Sequence, residues 1–208
     1  MARYTGPVCR LCRRAGDKLF LKGERCLTPR CAVERRRRPP GVHLQSRRRL
    51  SDYGIQLREK RKARVVYGVL ERQFRKYFES AQRNPGATGQ MLIQFLERRL
   101  DNVIFRLDFA ESRSQARQFV LHGHITVDGR KVDIPSYSVK PGEVVGWKPA
   151  SQDSEFVKTM VAGMPRKALP GWLGLDTGTL SGTVLHLPEA AEVESTIETR
   201  LIVELYSK

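Results

Sequence analysis

No apolar run in this chain approaches the length of a membrane span; a representative one, Val65 to Leu70, is short and already interrupted by Gly68. The opening residues, Met-Ala-Arg-Tyr-Thr-Gly-Pro-Val-Cys, lack the apolar core of a secretory leader, so a cytosolic protein is expected. Cysteine is scarce, and all four copies fall between positions 9 and 31. In a reducing compartment such thiols are not expected to form disulfides. Acidic residues are scarcest where basic ones crowd. Positions 1–80 hold 23 Lys/Arg against 7 Asp/Glu, whereas positions 81–208 hold 15 of each, so the formal charge of +16 belongs entirely to the first 80 residues. Apolar residues at 40% and charged residues at 29% fit a folded chain of two modest domains, or one domain with an ordered arm.

Charge this lopsided predicts a polyanionic partner, with nucleic acid the leading candidate. A membrane surface is also anionic, but membrane-binding helices set a basic face against a continuous apolar one. The run Glu34-Arg35-Arg36-Arg37-Arg38-Pro39-Pro40-Gly41 has no apolar face, and its prolines stop a helix, so it reads as an extended arm. Arginine also dominates the flanks, at Arg47, Arg48, Arg49, Arg58, Arg61 and Arg64. That density favours phosphate binding over a merely solvated charge run.

Local signals organise the rest. Ser51 predicts an N-cap for a helix through Arg58 and Arg64. A second helix is expected over 70–82, with Phe74, Tyr77 and Phe78 as its stripe and Asn84-Pro85-Gly86 as its stop. A third starts near Gln90, and Asp101 either continues it or caps a short helix carrying Val103, Ile104 and Leu107. Ser112 is expected to cap a helix with Ala116, Phe119 and Val120 inward and Arg113 and Arg117 outward, ended by Gly123. Asp128-Gly129 between two β-prone stretches signals a hairpin that carries Arg130 and Lys131, and a strand follows at 143–147. Further on, Asp153 or Ser154 is expected to cap a helix to Ala162. Strands are expected at 172–175 and 183–187, the latter after a Ser181-Gly182 turn. Ser195 and Glu198 match a capping box before a last helix, though Leu201, Val203 and Leu205 also fit a strand.

The cysteine spacing is Cys9-x2-Cys12-x13-Cys26-x4-Cys31. Two close pairs suit a tetrahedral thiolate site, because each pair supplies two ligands from one tight turn. Five large apolar residues between them (Leu11, Leu19, Phe20, Leu21 and Leu27) are too few to order such a loop, which argues for a clip. Zn2+ is expected as a structural ion, and an iron–sulfur cluster is the alternative, since four thiolates hold either. A catalytic zinc is not expected, because four thiolates leave no position for water.

The segments Arg98-Arg-Leu-Asp-Asn-Val-Ile-Phe-Arg-Leu-Asp-Phe-Ala110 and Ser112-Arg-Ser-Gln-Ala-Arg-Gln-Phe-Val-Leu-His-Gly-His-Ile-Thr-Val-Asp-Gly-Arg-Lys-Val132 closely resemble the bacterial small-subunit ribosomal protein four family. So do Pro135-Ser-Tyr-Ser-Val139, Tyr4-Thr-Gly-Pro-Val-Cys9-Arg-Leu-Cys12, Pro39-Pro-Gly41, Ser51-Asp-Tyr53, Glu71-Arg-Gln-Phe74 and Leu201-Ile-Val-Glu-Leu-Tyr-Ser207. One departure is Val42-His43-Leu44, where a His-Gly pair is commoner. Many members lack the cysteines, and a chain with all four resembles the metal-binding variants.

The resemblance implies an α+β fold: a helical N-terminal domain with a four-Cys metal knuckle, plus an inserted α/β RNA-binding domain with a helix–hairpin module. The implied divisions are 1–45 (knuckle and arm), 46–97 (helical), 98–190 (RNA-binding) and 191–208 (a segment returning to the helical domain). It also implies a primary binder of small-subunit ribosomal RNA that nucleates assembly at a multi-helix junction. Such a protein sits in the small ribosomal subunit near the messenger-RNA entry channel, beside ribosomal protein five, and affects decoding accuracy. Repression of its own messenger is a further implication.

The expected RNA-binding residues are Arg3, Arg10, Arg13, Arg14, Lys22, Arg35, Arg36, Arg37, Arg38, Arg47, Arg48, Arg49, Arg58, Lys62, Arg72, Lys76, Arg113, Arg117, Arg130 and Lys131; the expected metal ligands are Cys9, Cys12, Cys26 and Cys31. An enzyme is the first rival, because pseudouridine synthases and tyrosyl-tRNA synthetases carry a similar module. Here too little chain remains for a catalytic domain, and Arg99-Leu100-Asp101 is only a three-residue echo. A zinc-dependent DNA-binding regulator is the second rival, but no recognition helix adjoins the cysteines.

Overall fold

The computed structural model describes residues 4–36, 38–41, 50–161, 168–189, 192–193 and 196–207. Arg3, Arg37, Arg47, Arg48, Arg49, Ala162 and Ser195, with the Val42-His43-Leu44 departure, lie outside the described residues. The chain divides into two compact units, Met1–Leu92 with Ser195–Lys208, and Ile93–Glu194.

The first unit is helical. It holds α1 (Val8–Ala15), a 3₁₀ turn (Gly23–Cys26), α2 (Ala32–Arg35), α3 (Asp52–Val66), α4 (Glu71–Arg83), the start of α5 (Thr88–Glu97), and α10 (Thr199–Tyr206). The α3 start follows from its cap: the Gly54 N–H donates to Ser51 Oγ at 3.3 Å. In α4, Phe74, Phe78 and Ala81 recur on one buried face, and each full phenyl burial contributes roughly 1.5–3 kcal/mol. Asn84 adopts extended backbone, as a residue before proline tends to, and the helix stops there. Helix α5 begins at Thr88, two residues before the position read from the sequence.

The last segment is a helix, not a strand, and α10 packs on α3. Its N-cap is Glu198, with no side-chain cap bond, so the capping box is a correction: the helix starts too late for Glu198 to serve as the third residue. Tyr206 locks it in place. Its ring stacks on Phe78 at 4.3 Å, and its hydroxyl donates to Glu71 Oε1 at 3.0 Å. Burial, then the Glu71 charge, push the Tyr206 phenol well above its ordinary value.

The second unit runs through α6 (Leu100–Arg106), α7 (Arg113–Leu121), β1 (Ile125–Val127), β2 (Arg130–Lys131), β3 (Val144–Trp147), α8 (Pro149–Gln152), α9 (Glu155–Val161), β4 (Leu173–Asp176) and β5 (Ser181–Val184). The five strands form one sheet in the order β2-β1-β3-β5-β4, antiparallel at every described pairing. The expectation of an α/β domain is therefore corrected to helices plus an antiparallel sheet. Because every described neighbouring pair is antiparallel, none is the parallel pair that a βαβ unit makes.

Asp128 and Gly129 both have positive φ, 48° and 76°, which gives the tight two-residue turn their sequence predicts. Ser181 and Gly182 lie inside β5, so the expected turn there is also corrected; the reversal falls at Asp176–Leu180, where Asp176 accepts from the Gly178 N–H at 2.8 Å. Gly182 has no side chain because a Cβ would stand 2.3 Å from Leu107 Cδ2. Beneath the sheet, Leu100, Val103, Ile104, Phe109, Ala116, Val120, Trp147 and Trp172 form the core.

Candidate nucleic-acid interface

Helix α1 buries only Cys12. Arg10 and Arg14 are exposed and have no ion pair among the described residues, which leaves two cations on the solvent side of the cysteine loop. Arg13 is half-buried and donates to the Arg38 carbonyl at 3.0 Å, which folds the entry of the basic arm against α1. Beyond it Arg35, Arg36 and Arg38 are exposed, as are Arg72 and Lys76 on α4, all without an ion pair among the described residues. Sequence reasoning passed over Arg25 and Arg30, and noted Arg61 only as part of the basic flank; all three are exposed. Arg61 lies one helical turn beyond Arg58.

Two of the expected RNA contacts make bonds within this unit: Lys62 is buried, and Arg58 stays exposed. Lys62 is 7% exposed and pairs with Asp17 at 3.1 Å and Glu59 at 3.8 Å. Arg58 donates to the Ala15 carbonyl at the end of α1. Together they clasp the cysteine loop onto α3. Helix periodicity alone could not show this, because Ala15 and Asp17 are more than 40 positions away.

In the second unit the outward placement of Arg113 and Arg117 is a correction. Arg117 is 7% exposed, and its Nη1 lies 3.0 Å from Asp101 Oδ2, where Arg99 also binds at 2.6 Å. Arg113 donates to Asn102 Oδ1 at 2.7 Å and lies 4.3 Å from the centre of the Phe105 ring. Glu97, fully buried, accepts from Arg106 at 2.8 Å and from Asn102 at 2.7 Å. Asp101 and Asn102 thus join α6 to α7, Glu97 joins the end of α5 to α6, and no sequence signal pointed to Glu97 or Asn102. Arg130 and Lys131 are exposed on the hairpin, with Lys131 3.8 Å from Asp133. Tyr137 donates to Glu143 at 2.7 Å, and that carboxylate, with burial, pushes the phenol up to about 12.

The four cysteines are free thiols and line one cavity of about 20 Å³, room for a single ion or water, together with Lys22, Arg25, Ala32 and Val33. Backbone N–H groups are directed at the sulfurs: Lys22 donates to Cys26 Sγ at 3.3 Å, and Leu19 to Cys12. Burial pushes the Cys12 thiol up, the Leu19 bond opposes that rise, and the three neighbouring cysteines add to it. Four sulfurs without a carboxylate or imidazole are a donor set that fits a thiophilic ion. Among the described residues, no three His, Cys, Asp or Glu side chains are gathered so that they could hold one as they stand. The rings of His122 and His124 lie edge to face with centroids 6.0 Å apart, and His124 Nδ1 is 3.0 Å from Ser151 Oγ. Among the described residues no helix is long and apolar enough to cross a membrane.

An arginine-rich helical unit joined to a helix–hairpin unit is the outline of a ribosomal RNA-binding protein class, and family models agree. Residues 3–97 match the Ribosomal protein S4/S9 N-terminal domain and residues 98–145 match the S4 domain. Over 208 residues, covering all of both chains, the sequence is 57% identical to small ribosomal subunit protein uS4 of Heliobacterium modesticaldum. It is 55% identical, again over both whole chains, to uS4A of Symbiobacterium thermophilum, and 53% to uS4 of Pelotomaculum thermopropionicum. The chain belongs to the uS4 family of small ribosomal subunit proteins, a structural and non-enzymatic family.

Proposed function

We propose that this chain is a structural protein of the small ribosomal subunit, in the cytoplasm, that binds ribosomal RNA by neutralising closely spaced phosphates. The observation that carries the reading is identity above 50% along the whole length of uS4 proteins. It is supported by exposed arginines at Arg10, Arg14, Arg35, Arg36, Arg38 and Arg72, none with an ion pair among the described residues. Arginine's planar fork can bridge phosphates bidentately, and folded RNA is read chiefly by shape and backbone. The finer reading is that the protein binds a multi-helix junction early in assembly and sits near the messenger-RNA entry channel beside ribosomal protein five. There it contributes to decoding accuracy and also binds its own messenger.

For the cysteine loop the reading is a structural Zn2+ held by Cys9, Cys12, Cys26 and Cys31; an iron–sulfur cluster is the alternative. A bound zinc would supply a closed, unreactive cross-link. The loop's own residues do the rest: Leu19 and Lys22 direct N–H groups at sulfur, and Arg58 and Lys62 hold the loop to α3.

A salt titration tests the RNA reading. Roughly eight phosphate contacts would weaken binding by about 10³–10⁵ between roughly 50 and 200 mM salt. A nearly flat titration, or absence of the protein from intact small subunits purified at low salt, would remove the reading. Elemental analysis of Cys9→Ser tests the metal: its content should fall, and unchanged content would end the four-thiolate assignment.

A further inference from the structure

Phe20 is the odd residue of the cysteine loop. It is 47% exposed, and its φ is 48°, a left-handed conformation that a bulky aromatic residue rarely adopts. The residues around it are pinned. Leu19 is buried at 4% with its N–H directed at Cys12, and the Lys22 N–H is held by Cys26 Sγ at 3.3 Å. The turn is thus tied to two sulfurs, and the ring between them is turned outward. Among the described residues it has no aromatic partner. Local strain of this kind persists only where the surroundings enforce it, and it concentrates at functional sites.

The surroundings say which ligand fits. Exposed Lys22 and Arg25 line the adjoining cavity, and Arg10, Arg14 and Arg30 are exposed on the same loop and helix, against two acidic residues, Asp17 and Glu24, between positions 9 and 31. An exposed ring in a cationic field is chemically suited to an unpaired nucleobase, with the ring taking the base face and the cations its phosphates. We infer that Phe20 is a stacking platform for one unpaired base of the ribosomal RNA. The inference rests on the RNA-binding reading above and adds a contact that is not electrostatic.

The test uses the full chain, with its native metal content, and an in vitro transcript of small-subunit ribosomal RNA. Phe20→Gly removes the ring and relieves the left-handed backbone, so thermal stability should hold or rise. RNA affinity should nevertheless fall between about 5-fold and about 150-fold, with the slope of log affinity against log salt unchanged. Phe20→Trp should restore binding, whereas Phe20→Leu, apolar without a π-face, should not. Wild-type affinity in Phe20→Gly overturns the inference, as does full rescue by Phe20→Leu. Unaltered RNA binding combined with defective joining of other ribosomal proteins would show that the ring meets a protein, and overturns it too. A flat salt response of the wild-type chain would instead strike the RNA-binding reading itself, so the two failures are distinguishable.

Discussion

Arginine is put to opposite uses in the two units. In the first, Arg10, Arg14, Arg35, Arg36 and Arg72 stand exposed with no ion pair among the described residues, in a sequence that supplies 23 basic residues and only 7 acidic ones through position 80. In the second, where basic and acidic residues balance, Arg99 and Arg117 are buried on Asp101, and Arg106 is held by Glu97. An exposed guanidinium in water adds little to stability but keeps its full capacity to bind phosphate. A buried one has lost its hydration and must keep its partner. The same side chain is therefore a binding group in one unit and a framework group in the other.

The contrast breaks most visibly at Asp101. Replacing it with alanine leaves Arg99 and Arg117 buried without their shared carboxylate, and we expect a loss of about 3–5 kcal/mol, measured by denaturant unfolding. A loss below about 1 kcal/mol would mean that the pairing is incidental. The converse change is Arg10→Ala with Arg14→Ala. Unfolding should stay within about 0.5 kcal/mol of wild type, while RNA affinity falls and its salt slope flattens by about 0.9 per lost duplex contact or about 0.7 per lost single-strand contact. Lost stability with an unchanged slope would reverse the roles assigned here.

The smallest effect is expected in acid, at the lock between α4 and α10. Burial alone would raise the Glu71 pKa. The bonds from Lys60 and Tyr206 and the charge of Arg64 outweigh burial and hold it below its ordinary value. A carboxylate depressed in the folded state contributes its stability above the unfolded pKa and loses it as pH falls through the folded one. Thermal stability should thus fall below about pH 4, and Glu71→Gln should flatten that dependence. An identical profile in the variant would remove Glu71 from the account.

Legibility followed locality. Ser51 and Ser112 were readable as caps because the N–H groups they accept, from Gly54 and Gln115, lie three residues away. Asp128-Gly129 was readable because a two-residue turn has few conformational solutions. Arg117 was misread as outward because its partner, Asp101, lies on the preceding helix, and helical periodicity does not report what packs against a face. Lys62 and Arg58 were offered for RNA on the same grounds, and their bonds to Asp17 and Ala15, which hold the cysteine loop, were not readable. Glycine in Ser181-Gly182 suggested a turn, whereas Gly182 is small because Leu107 occupies the space above it. Glu198 had the spacing of a cap partner, but the docked helix begins one residue after it.

The residue order alone decided where the positive charge concentrates, where most helices and the tight hairpin begin, and that four thiols share one loop. These depend on composition and on bonds spanning a few residues. Only the tertiary structure decided which guanidinium groups remain free for phosphate and which are spent inside the protein. That choice turns on carboxylates and carbonyls brought close from distant positions, and on the dielectric cost of burying a charge without one.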